Sequence, residues 1–220
     1  MTFRTVLVAC MAFLLFSCSK DKSVEKPVNH PSDSTSYQPV SSGSSWHYKD
    51  GINPNGGYTL TATGKDTTIN GISFYIFENK PDTSSMTAET YFGQDRNNYY
   101  ALGFMTQLGN NAMLYLKDTS KVNTTWTQNI PISLQGISLS AEMDFQLLQV
   151  SGTRAVNSKT YQNVAHVGLQ VKVPNPLGGG AISYLTGDLY FARGVGIIEM
   201  TIQQGGSAVT DISLDTYTIK

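Results

Sequence analysis

Between Ile137 and Leu147 apolar and polar residues take strict turns. Ile137, Leu139, Ala141, Met143, Phe145 and Leu147 alternate with Ser138, Ser140, Glu142, Asp144 and Gln146. A strand points successive side chains to opposite faces, so this pattern describes a strand with one face in a core and the other in water. Ala165, Val167, Leu169, Val171 and Val173 repeat it against His166, Gly168, Gln170 and Lys172. From Trp46 onward no window of comparable length favours a helix, although 84–91 and 105–112 are mixed enough to hold one turn. Alternation over so long a run favours long, curved strands over the short ones of most sandwiches. The expected fold is therefore all-β and antiparallel, a large curved sheet or barrel of about ten to twelve strands. A two-sheet β-sandwich is the alternative. The 12 tyrosines and 20 glycines, with many Thr and Ser, suit strands joined by frequent turns.

The chain also echoes itself. Gly43-Ser44-Ser45-Trp46 recurs as Asn123-Thr124-Thr125-Trp126. Ile69-Asn70-Gly71-Ile72-Ser73-Phe74 recurs as Val156-Asn157-Ser158-Lys159-Thr160-Tyr161, and Tyr91-Phe92 as Tyr190-Phe191. Asn-Gly is a tight hairpin turn, because both residues accept positive φ, and Asn-Ser is a weaker form of it. The matches are separated by 80, 87 and 99 residues (126 − 46, 157 − 70, 190 − 91), so the second copy has the longer strands or loops. These echoes predict one β-domain over 43–220, an internal duplication of about 43–117 and 118–220.

Ahead of the domain, Arg4 precedes an apolar run from Thr5 to Phe16, closed by Leu15-Phe16-Ser17-Cys18. The run is shorter than the roughly 20 residues that span a bilayer, and fits the apolar region of a signal peptide. The segment resembles a bacterial lipoprotein signal peptide. That resemblance implies removal of residues 1–17 and attachment of acyl chains to Cys18, which would tie the protein to a membrane. Leu7-Val8-Ala9-Cys10 also satisfies the motif, but cleavage there would leave almost no apolar region for export. Cys10 and Cys18 are the only cysteines, so no disulfide framework and no cysteine metal site is expected. Residues 18–42, rich in Ser, Pro and charge, have the composition of a disordered tether. By the same resemblance, Ser19, in place of an aspartate that retains enterobacterial lipoproteins in the inner membrane, implies the outer membrane. Ser19-Lys20-Asp21 is weakly similar to a surface-export signal, but Lys22 breaks the acidic run, so the periplasmic and surface sides both stay open.

Taken together, Trp126, Val156 to Tyr161 and Tyr190 to Ile197 are similar to the pattern of a loose group of β-rich lipoproteins from Bacteroidota. The resemblance implies envelope placement and a β-fold. It implies no reaction.

Candidate sites are few. His30, His47 and His166 lack partners at the spacing a zinc or acid–base site needs. Gly194-Val195-Gly196 is followed by strand residues and not by the helix that would hold a phosphate, so it reads as a bend. Asp95-Arg96-Asn97-Asn98 lacks the distal Glu of a calcium loop and reads as a turn. Gly178-Gly179-Gly180 reads as a hairpin loop. Glu199 shares a phase with Val195 and Ile197; it is either an edge-strand residue in water or a buried carboxylate paired with Arg193 or Arg154. Tyr99-Tyr100, Tyr91-Phe92 and Phe74 to Phe77 put aromatic bulk on both faces of their strands. Two layers of packing would explain this, and so would a concave sheet around an apolar cavity. The candidate ligand-binding residues are Trp46, Tyr48, Tyr99 and Tyr100.

Net charge of −1 and 14% charged residues give no basis for nucleic-acid binding. No cofactor is expected. With no nucleophile–base or metal constellation in view, the expected function is that of a non-enzymatic envelope lipoprotein with a binding or assembly role. Its ligand would be an envelope protein, a lipid or a glycan. The alternatives are a carrier of an apolar ligand in a half-open β-barrel and a glycan-binding accessory lipoprotein with exposed aromatic platforms.

Overall fold

The computed structural model describes residues 33–102, 111–134, 137–175 and 179–220. After a single 3-10 turn at Asp33–Thr35 come β1 (Ser45–Asp50), β2 (Gly57–Ile69), β3 (Ile72–Pro81), β4 (Ala88–Asp95), β5 (Asn98–Leu102) and β6 (Met113–Lys117). The second run is β7 (Thr125–Leu134), β8 (Ile137–Val156), β9 (Lys159–Pro174), β10 (Ala181–Ala192), β11 (Gly196–Gln204) and β12 (Ser207–Thr218). All twelve lie in one antiparallel sheet of order β6-β5-β4-β3-β2-β1-β12-β11-β10-β9-β8-β7. The expected large curved sheet or barrel is what forms, and the sandwich is not. Of the two stretches where a helical turn was possible, 84–91 leads into β4, and 105–112 lies mostly outside the described residues.

β1 pairs with β12, so the first six strands spread one way from that pairing and the last six spread the other way. Each marker of the internal echo falls on the equivalent strand of its half. Trp46 and Trp126 lie on the first strand, Tyr91-Phe92 and Tyr190-Phe191 on the fourth. The Asn turns join the second strand to the third, with φ of 52° and 80° at Asn70-Gly71 and of 46° and 66° at Asn157-Ser158. Both turns have positive φ at two successive residues, the twist a two-residue hairpin needs.

The sheet curls until its two edges, β6 and β7, face each other. Among the described residues no ladder joins them. Side chains of β7 cross the seam instead. Gln128 Oε1 accepts from the Leu114 N–H at 2.7 Å, and Trp126 Nε1 donates to the Leu114 carbonyl at 2.8 Å. Gln128 Nε2 makes a longer contact, 3.4 Å, with the carbonyl of Ala112. An exposed edge is a hazard because its backbone groups invite further strands. Here side chains satisfy part of that edge, and Pro131, which has no N–H to offer, sits on β7 where an edge tolerates it.

The core is the inside of the curl. Ala165, Val167, Leu169, Val171 and Val173 are all buried, as are Ala141, Met143, Phe145 and Leu147. Val171 stands opposite Met143, Leu169 opposite Phe145 and Val167 opposite Leu147. Both aromatic explanations hold in part. Phe77, Phe92, Tyr115 and Phe191 pack ring to ring inside, and Tyr115 on β6 stacks on Phe191 on β10 at 5.1 Å. Phe74, on the outer face and also buried, lies across the ladder from Gly93, where a Cβ would come within 2.7 Å of its ring. The ring fills the place that a side chain at position 93 would have taken.

Two features depart from the sequence pattern. Alternation ends at Leu147, yet β8 runs on to Val156 through register shifts between Leu147 and Thr153, with Ser151 at φ 52°. A bulge changes which face the next residues take. The same device explains Glu199. A shift between Tyr190 and Phe191 lets Ile197 and Ile198 both be buried, and it leaves Glu199 on the outer face, out of phase with Ile197. Glu199 is not on an edge strand, and its partner is Arg154, at 2.7 Å.

Candidate functional site

Strand direction divides the barrel into two unlike ends. One carries the turns 70–71, 96–97, 157–158 and 193–195 and the connection 118–124, and receives the chain from its N-terminus. The other carries, among the described residues, the connections 51–56 and 82–87 and the turn 205–206.

The entry end is closed. Ser36, Tyr37, Gln38 and Val40 are buried, although the sequence places them in the tether of 18–42. The Tyr37 N–H donates to the Tyr99 hydroxyl at 3.3 Å, and the two rings meet edge-on at 6.2 Å. Arg193 holds the segment from above, its guanidinium 4.5 Å from the Tyr37 ring centre. It donates to the Thr35 carbonyl at 2.9 Å and pairs with Asp118 at 2.5 Å. The Gly194 N–H donates to the Ser36 carbonyl, and Trp46 Nε1 donates to the Val195 carbonyl at 2.6 Å. Composition concealed this segment. Tyr37 and Val40, with Pro39 between them, are the apolar residues of 36–40, and they suffice as anchors because the barrel supplies the rest of the pocket.

Toward the far end a cleft of about 180 Å³ lies between strands of the two halves. Tyr48, Tyr58, Leu60, Asn79, Thr90 and Phe92 line it from the first half, and Ile197, Met200, Thr210 and Ile212 from the second. Tyr48 and Tyr58 stack at 5.1 Å with their planes 27° apart. The Tyr48 hydroxyl donates to the Ile197 carbonyl at 3.0 Å. Burial holds both phenols far above their usual ionisation range, with Tyr58 pushed further by Asp50, so both remain neutral. Asn79 Oδ1 is buried and has no hydrogen-bond partner among the described residues. None of the described lining residues is charged.

Of the four aromatic candidates, Tyr48 alone lines this cleft. Trp46 and Tyr99 face the core at 1% exposure each, and Tyr100 lies half-exposed on the outer face. Trp126 is buried as well, so neither tryptophan forms an exposed platform. Asn79, Tyr58 and Thr210 were not singled out by sequence. Leu60 and Tyr58 share the inward phase of β2, and that period was the one available signal. Cys18 and His30 lie outside the described residues.

The same fold occurs in two proteins of known structure. One, a candidate lipoprotein from Parabacteroides distasonis, matches with a TM-score of 0.56 at 12% identity, over 84% of this chain and 99% of its own. The other, a candidate exported protein of YmcC-like fold from Bacteroides fragilis, matches at 0.55 and 9% identity over the same shares. No protein-family model and no characterised protein sequence matches the chain significantly.

The remaining polar groups lie on the outer face. His47 sits between Asp82 and Asp215, at 3.0 and 3.4 Å. His166 is 2.6 Å from Asp188 and stacks on Tyr190, which also carries the Arg154 guanidinium 3.9 Å from its ring centre. These are satisfied surface contacts along neighbouring strands. Among the described residues, no group of three or more His, Cys, Asp or Glu is placed to hold a metal. Asp95 and Asn98 pair across a two-residue turn, with Arg96 at φ 56°.

Proposed function

We propose that this chain is an exported lipoprotein, anchored in the outer membrane through acyl chains on Cys18, whose barrel has a non-enzymatic binding or assembly role. The observation that carries the proposal is the Leu15-Phe16-Ser17-Cys18 sequence, followed by a short polar segment that leads into one end of the barrel. The fold shared with a candidate lipoprotein and a candidate exported protein supports it. The uncharged lining of the cleft supports a binding role over catalysis, because it offers no carboxylate, imidazole or amine, and burial keeps its two phenols, Tyr48 and Tyr58, neutral.

Its volume counts against a lipid carrier. Sites for drug-sized ligands hold roughly 300–1,000 Å³, and the interior here is filled by rings packed on one another. The burial of both tryptophans counts against a glycan platform. Membrane fractionation tests the anchor. Cys18→Ser is expected to abolish membrane fractionation, and Cys10→Ser to leave it unchanged. A Cys18→Ser protein that stays attached, with a Cys10→Ser protein that becomes soluble, would place the anchor at the other cysteine.

A further inference from the structure

We infer that the far-end cleft is a binding site for a compact, uncharged ring bearing one hydrogen-bond donor. The inference rests on the binding role proposed above and gives it a ligand class. Size comes first. An engineered apolar cavity of about 150 Å³ is known to take up benzene. The cleft, at about 180 Å³, has room for one ring and a small substituent, not for an acyl chain. Shape agrees, since the stacked faces of Tyr48 and Tyr58, with Phe92, offer flat apolar surfaces.

The polar complement is specific. Tyr48 has spent its hydroxyl proton on the Ile197 carbonyl. Asn79 Oδ1 has no such partner, and it stands across the ladder from Leu60 in an apolar setting. A buried acceptor left unpaired is unfavourable, so this oxygen selects an O–H or N–H group arriving with the ring. A charged ligand would lose its hydration and find no countercharge in the lining. The connections at this end are open to solvent and carry the exposed apolar side chains Ile52 and Met86, at 49% and 77%, beside the exposed polar residues Asn53 and Asp82. The ring could arrive as a free molecule or as a side chain of another protein; the chemistry is the same.

The test uses the full-length chain in detergent, titrated calorimetrically with p-cresol and with toluene, which differ only by the donor. Wild type is expected to bind p-cresol roughly five- to tenfold more tightly than toluene, the worth of one neutral hydrogen bond. Asn79→Leu should abolish that preference and leave toluene unchanged. Thr210→Phe, which fills the cleft from β12, should weaken both. Micelles take up toluene more than p-cresol, so each titration is corrected by the same ligand titrated into protein-free micelles at the same detergent concentration. Equal affinity of wild type for the two ligands would overturn the inference. So would a preference that survives Asn79→Leu, or unaltered binding in Thr210→Phe, the second variant serving if the first fails to fold. N-acetyltyrosinamide then separates the sources. Binding with the same dependence on Asn79 supports a ring carried on a polypeptide, and failure beside bound p-cresol supports a free ligand. Fractionation of Cys18→Ser is independent of all these arms, so the anchor and the cleft can fail separately.

Discussion

Closing a sheet with side chains makes the seam between β6 and β7 a place where one residue should matter. Gln128→Leu keeps the size of the side chain and removes both of its seam contacts, at 2.7 and 3.4 Å. The Leu114 N–H is left without its acceptor in a partly buried position. An orphaned backbone group of this kind costs about 1–3 kcal/mol, and the lower half of that range applies here because water has some access. Against a typical domain stability of about 5–15 kcal/mol, the loss is measurable in a urea melt. Thr127→Val is the control, since Thr127 bonds Asp144 on the exposed face of the same strand, so its smaller cost should not reach the seam. Native-state hydrogen exchange gives a local readout: the Leu114 amide should lose protection in Gln128→Leu and keep it in Thr127→Val. Equal costs for the two variants, or an unchanged Leu114 amide, would refute a seam held by side chains.

Core and surface phase can be checked on neighbouring residues of β9. Leu169→Ala, at 4% exposure opposite Phe145, should cost about 2–5 kcal/mol, and Gln170→Ala well under about 1 kcal/mol, both measured by denaturant melts. Acid should weaken the outer face at Asp144, whose carboxyl is held below its ordinary range by the Lys172 ammonium and then by the Thr127 hydroxyl. A depressed folded-state value means that this contribution is present above the unfolded carboxylate range near pH 4 and fades as pH falls through the lower folded value. Asp144→Asn should therefore flatten the melting-temperature profile below about pH 4 and leave the pH dependence near neutrality unchanged.

What was legible in the sequence was whatever follows from a period of two. The faces of β8 and β9 and the equivalent places of Trp46 and Trp126 rest on alternation and on turn chemistry that is local to a few residues. What was illegible depends on a single inserted residue or on distant partners. A bulge is invisible to a periodic pattern until it has changed the phase, which is why Glu199 reads as part of an apolar face and stands on the outer one. Arg154, its partner, is 45 residues away in sequence. The cleft is harder still, because Asn79 and Thr210 belong to different halves and meet only when β1 and β12 pair. Residues 36–40 have a tether's composition, and nothing local shows that Arg193 and Tyr99 await them.

That last segment bears on how an anchored barrel would stand. Ordering a short stretch costs about 1–2 kcal/mol per residue in backbone entropy. Burial of Tyr37 and Val40, the Arg193 contacts and the backbone bond from Gly194 oppose that cost. With the segment held, the stretch between Cys18 and the first described residue shortens to 19–32. A flexible chain of that length would span roughly 20 Å. Under the proposed anchor at Cys18, so short a link would keep the entry end nearer the membrane and leave the end with the cleft facing away. On this geometry a ligand for the cleft comes from the aqueous side or from a neighbouring protein, and lipid drawn from the anchoring leaflet would meet the closed end first.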